Sequence, residues 1–101
     1  MWVMVMFDLP TDTKASRKSY REFRDFLLRD GFIMLQYSVY ARHCPSYENA
    51  EVHEKRVHAL LPPDGEVRIL QFTDKQFSRM KVTRSRRRAA TEKGAEQIVL
   101  L

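Results

Sequence analysis

The chain has 101 residues, with 18 Lys and Arg against 13 Asp and Glu, for a net charge of +5. That length fits one domain with a modest core, and the excess of positive charge favours a polyanionic partner. A single cysteine, Cys44, excludes an internal disulfide and suits a reducing, cytoplasmic compartment; no apolar run approaches the roughly 20 residues of a membrane-spanning helix, and the apolar start lacks the positive region of a signal peptide.

Residues 2–8, WVMVMFD, read as a central strand. Val3, Val5 and Phe7 make one face; Trp2, Met4 and Met6 make the other, and Asp8 continues it where the strand ends at Leu9-Pro10. A strand apolar on both faces is covered on both faces. Thr11, Asp12 and Thr13 then open a helix that runs to Asp30, with Gly31 as its stop. Tyr20, Phe23 and Leu27, with Phe26 beside them, form its core face. The opposite face carries Lys14, Arg17, Arg21 and Arg24, with Lys18 alongside, a stripe of a single sign.

Residues 32–43 read as one long strand. Ile33, Leu35, Tyr37, Val39 and Ala41 make an apolar face; Phe32, Met34, Gln36, Ser38, Tyr40 and Arg42 make one that grades into polar, as a subunit interface would. Ser46 caps a second helix with Ala50, His53, Val57 and Leu60 inward, ended by Pro62-Pro63. Residues 66–73 form a third strand and 77–82 a short fourth. Residues 83–95 read as a basic, mobile loop, and 96–101, ending in QIVLL, as a last strand.

The order is βαβαβ with short extra C-terminal strands. It predicts an α+β, ferredoxin-like sandwich: a single domain over 1–101, with one antiparallel sheet and two helices on one face. The other face, expected to carry Met4, Met6, Phe32 and Met34, would be bare in a monomer and so predicts a homodimer. Residues 97–101 are expected to add a strand to the partner's sheet edge.

The Phe7-Asp8-Leu9-Pro10-Thr11-Asp12-Thr13 strand end resembles the CRISPR-associated adaptation protein Cas-two family. So do Leu27-Leu28-Arg29-Asp30-Gly31-Phe32, Gln36-Tyr37-Ser38-Val39-Tyr40 and Lys75-Gln76-Phe77-Ser78-Arg79-Met80. The likeness runs in order over nearly the whole chain, and is strongest to variants of Cas-nine-containing systems. It implies a homodimer that bridges the CRISPR integrase Cas-one and holds double-stranded DNA during spacer acquisition. For some members it implies a magnesium-dependent (or manganese-dependent) endonuclease acting on RNA or duplex DNA, with the aspartate ending the first strand, here Asp8, as metal ligand and catalytic residue.

Asp8 is the one acid placed like a catalytic group. Metal-assisted phosphodiester hydrolysis needs hard oxygen ligands, and a two-fold axis beside Asp8 would pair two of them. The other reading is that Asp8 caps local backbone amides at the strand end. His53 and His58 are five apart, on different helix faces, and make no zinc helix. Arg79, Lys81, Arg84, Arg86, Arg87 and Arg88 fall within ten residues that include no acid. Together with Lys14, Arg17, Lys18 and Arg21 they are candidate contacts to a nucleic-acid backbone, or a solvated surface.

Overall fold

The structure is a computed structural model that describes residues 1–85. Its elements are β1 (Trp2–Asp8), α1 (Lys14–Arg29), β2 (Ile33–Gln36), β3 (Val39–His43), α2 (Tyr47–Ala59), β4 (Glu66–Phe72) and α3 (Asp74–Ser78). The strands form one antiparallel sheet in the order β2-β3-β1-β4. This is the ferredoxin-like α+β arrangement, with α1 and α2 on one face.

Local chemistry sets the helix ends. Thr13 caps α1: its hydroxyl accepts from the Ser16 N–H at 3.0 Å, while Ser16 Oγ accepts from the Thr13 N–H at 2.9 Å. At the other end Gly31 takes a φ of +89°, its N–H donates to Leu28 O, and the Phe32 N–H donates to Leu27 O. That double closure needs the left-handed residue a glycine supplies.

The core lies between sheet and helices. Val3, Val5 and Phe7 point into it with Phe23, Leu27, Phe32, Tyr40, Ala50 and Val57. The Phe7 ring meets Tyr20, Phe23 and Tyr40 at centroid separations of 5.9, 5.3 and 5.7 Å. Those contacts hold the backbone immediately before Asp8.

Three expectations change. The long strand over 32–43 is a hairpin: β2 and β3 join at Tyr37-Ser38, where Ser38 takes a φ of 62°. Register shows which face looks outward. Tyr40 pairs with Val5 and with Met34, on the helix side; Ala41 pairs with Met4 and with Ile33, on the outer side. Phe32 is a core residue, 2 % exposed, and Met34 is on the helix side, so neither lies beside Met4 and Met6. The outer face instead carries Ile33, Val39 and Ala41. The polar look of Tyr40 and Arg42 misleads: Tyr40 is buried by its ring, and Arg42 buries a long stem while its head finds partners. Arg42 Nε donates to Asp30 O at 2.7 Å, and Tyr40 is 1 % exposed.

The third change is at 77–82, which is no strand. Thr73 and Gln76 form a capping box that opens α3, and the chain from 79 to 85 is irregular. Phe77 stacks on Trp2 at 3.9 Å and so lays α3 over the outer face at the start of β1. The strand expected at 97–101, and the loop expected at 83–95 from residue 86 onward, lie outside the described residues.

Candidate functional site

Asp8 ends β1 on the outer face, opposite Glu66 of β4, and its side chain is exposed. Two features fix its backbone. The Phe7 N–H donates to Ser38 O at 3.1 Å, and Gly65, at φ +95°, approaches so closely that a Cβ there would sit 2.7 Å from the Asp8 carbonyl oxygen. Only glycine suits both that backbone and that distance.

Among the described residues no side-chain hydrogen bond or ion pair occupies the Asp8 carboxylate. Capping of local backbone amides therefore does not account for it. Asp8 shares a shallow groove with Met6, Phe7, Glu66 and Arg68. Arg68 Nη2 donates to Glu66 Oε1 at 3.1 Å, so the guanidinium is tied to Glu66 and leaves Asp8 open. The sequence does not single out either residue, because nothing in β4 taken alone relates them to β1. Their alternation with Val67 and Ile69 was the available signal.

No group of three or more His, Cys, Asp or Glu converges among the described residues. One exposed, unengaged carboxylate with a second across the groove still fits Mg²⁺, which keeps most of its waters and takes one or two carboxylates plus substrate phosphate.

The basic residues fall into two sets. Lys14, Arg17, Lys18, Arg21 and Arg24 are all exposed along the solvent face of α1. Arg17 Nη1 donates to Thr11 O at 3.1 Å, and Arg24 lies 3.7 Å from Asp25. Arg79 caps the C-terminal end of α3, and Arg84 follows in the irregular chain beyond it. Arg86, Arg87 and Arg88 lie outside the described residues. Met4 and Met6 are half-buried on the outer face, where Met4, Leu70, Phe72 and Met80 line an apolar hollow.

A further charged cluster sits under α2. Asp30 Oδ2 accepts from His53 Nδ1 at 2.7 Å, and Asp30 Oδ1 accepts from Arg56 Nη1 at 2.7 Å. Burial pushes the Asp30 carboxyl up, but the bonds from His53 and Arg56 outweigh it and hold the pKa below the ordinary value. The cluster is closed on itself and offers no reactive group.

Comparison with known proteins agrees with this arrangement. A family model described as "CRISPR associated protein Cas2" matches residues 1–80. The chain belongs to the Cas2 family. A protein of Parvibaculum lavamentivorans named "CRISPR-associated endoribonuclease Cas2" is 57% identical over 100 residues, covering 99% of each chain. One of the same name from Ligilactobacillus salivarius is 42% identical over 101 residues, covering 100% of each. The crystal structure of Streptococcus pyogenes Cas2 at pH 6.5 aligns with a TM-score of 0.60, over 81% of this chain and 98% of that one, at 22% identity. That likeness carries the fold. No helix among the described residues is long and apolar enough to cross a membrane.

Proposed function

We propose that the chain serves in CRISPR spacer acquisition as a homodimeric, duplex-DNA-binding scaffold that bridges the Cas-one integrase. Membership of the Cas2 family supports the process. The observation that carries the DNA reading is the exposed, single-sign stripe Lys14, Arg17, Lys18 and Arg21 on α1. Such groups grip phosphates without reading bases. Arg79, Arg84, Arg86, Arg87 and Arg88 extend the basic surface in this reading. Two copies meeting through their outer sheet faces, with Met4, Met6, Ile33 and Leu70 at the centre, double each basic set. Binding to a random-sequence duplex falls steeply with salt, because each phosphate contact releases about 0.9 counterion. Charge reversal at Lys18 and Arg21 weakens binding to all sequences alike and flattens the slope. Salt-independent binding, or a loss confined to one sequence, would refute the scaffold.

A second reading is phosphodiester hydrolysis at Asp8. It is favoured by the open Asp8 carboxylate and by the word endoribonuclease in the names of the relatives. In the dimer two copies of Asp8 would face one Mg²⁺ or Mn²⁺. A divalent ion held there would polarise the phosphate and acidify a bound water. The chain's part is to hold Asp8 still, through the Phe7 ring contacts and the Gly65 approach. Cleavage that survives both a chelator and Asp8→Asn would exclude this reading.

A further inference from the structure

We propose that Arg68 is a catalytic residue of this groove: its guanidinium grips a non-bridging oxygen of the phosphodiester presented to Asp8, with Glu66 as the tether that aims it. This rests on the reading of Asp8 as the hydrolytic carboxylate.

The placement follows from register. Asp8 pairs with Glu66 and Met6 with Arg68, so Asp8, Glu66 and Arg68 share the outer face. Arg68 and Asp8 are diagonal neighbours, a separation of about 7–8 Å that a long side chain spans. Arg68 is also out of keeping with its surroundings. Along the same face lie Met4, Leu70, Ala41, Val39 and Ile33. Folding does not explain a guanidinium there. Its ion pair with Glu66 is 70% and 66% exposed on its two sides, and an exposed pair adds little stability.

The same pair has a clear use beside a phosphate. Glu66 engages one Nη of Arg68, and a guanidinium carries five N–H donors in a planar fork. The remaining donors reach a phosphate oxygen without breaking the tether. Because Glu66 holds the guanidinium, Arg68 does not neutralise Asp8, which stays available. The reaction supported is hydrolysis. Water adds to phosphorus, the bond to the leaving ester oxygen breaks, and one proton of the water ends on that oxygen. Negative charge rises on the non-bridging oxygens as the bond to water forms. A fixed guanidinium stabilises that charge more than it stabilises the bound substrate.

The test uses the full chain and four proteins: wild type, Arg68→Ala, Arg68→Lys and Asp8→Asn. The probes are a labelled single-stranded RNA and a labelled DNA duplex, each with Mg²⁺ and with chelator. Where cleavage is Mg²⁺-dependent and lost in Asp8→Asn, Arg68→Ala lowers kcat about 100-fold. Arg68→Lys is intermediate, added guanidinium restores part of the Arg68→Ala activity, and the melting temperature does not move. Wild-type cleavage by Arg68→Ala would overturn the proposal while leaving Asp8 in place. Where Asp8→Asn behaves as wild type, the hydrolytic reading itself falls. Phosphate contact by Arg68 is then judged by affinity: about tenfold weaker oligonucleotide binding in Arg68→Ala supports the contact, and unchanged affinity overturns it.

Discussion

Asp30 occupies a poor position for an anion. It caps the C-terminal end of α1, where the helix dipole is negative. His53 and Arg56 reverse that cost, and the Asp30 carboxyl is 9% exposed between them. Its pKa lies below the ordinary 3.8. The folded state therefore takes up this proton less readily than the unfolded chain. The resulting stabilisation is fully present above pH 3.8 and is lost as pH falls through the lowered folded value. Asp30→Asn should cost about 2–3 kcal/mol near neutral pH, because it leaves His53 and Arg56 facing an uncharged amide. Denaturant titrations of the two proteins check this: the gap should narrow at pH 3 and below. A gap that stays constant with pH would mean the carboxylate charge is not what matters. Asp8 is the opposite case, an exposed carboxylate at a rigid strand end, and its value lies in having no partner in the described fold.

At the scale of elements, short motifs decide where helices begin and end. Thr13 and Ser16 satisfy each other's backbone donors, so Thr13→Ala should remove about 1 kcal/mol from α1 without moving its core face. A thermal melt measures it, and a loss under a few tenths would show that packing alone sets the helix start. Leu27 lies one layer deeper, at 0% exposure, and also supplies the carbonyl that closes the Gly31 turn. Leu27→Ala should cost about 2–5 kcal/mol, from lost burial and the cavity left behind. The β2–β3 hairpin has no Gly, Pro or Asn at its turn; Ser38 supplies the positive φ. That is why residues 32–43 look like one strand. Helix α3 was equally readable from the Thr73–Gln76 box, but Phe77, with Met80 and Val82 beyond the helix end, looks like part of a strand until Trp2 is placed beneath Phe77.

At the scale of the molecule, one sheet face is packed and the other is not. Helices cover Val3, Val5 and Phe7, while α3 reaches only the Trp2 end of the outer face. Leu70 is 50% exposed and Ile33 54%, beside half-buried Met4 and Met6. A contiguous apolar surface of this kind calls for a cover. Leu70→Glu should convert a dimer into a monomer by sedimentation at micromolar concentration, with the fold retained. A wild-type monomer under the same conditions would end the homodimer reading, and with it the pairing of two Asp8 carboxylates.

The types of β1, α1, α2 and β4 were decided by the sequence alone: a short run apolar on both faces in β1, period-two alternation in β4, an apolar stripe at period 3.6 in α1, and caps at Thr13, Ser46 and Gly31. These are local properties, carried by residues within a few positions of one another, so they can be read without a fold. The family likeness was legible for a related reason, since its motifs are short runs in a fixed order. What tertiary structure decided is everything that depends on a partner far along the chain. Register against β1 sent Phe32 and Tyr40 inward and Ile33 and Ala41 outward, because burial rewards the large aromatics and tolerates the polar tips of Tyr40 and Arg42. The same kind of pairing brought Glu66 and Arg68 to Asp8, 58 and 60 positions away in sequence, and the packing of α2 beside the end of α1 brought His53 to Asp30. Side-chain pattern specifies which face is apolar, but only the antiparallel ladder determines which residues share that face.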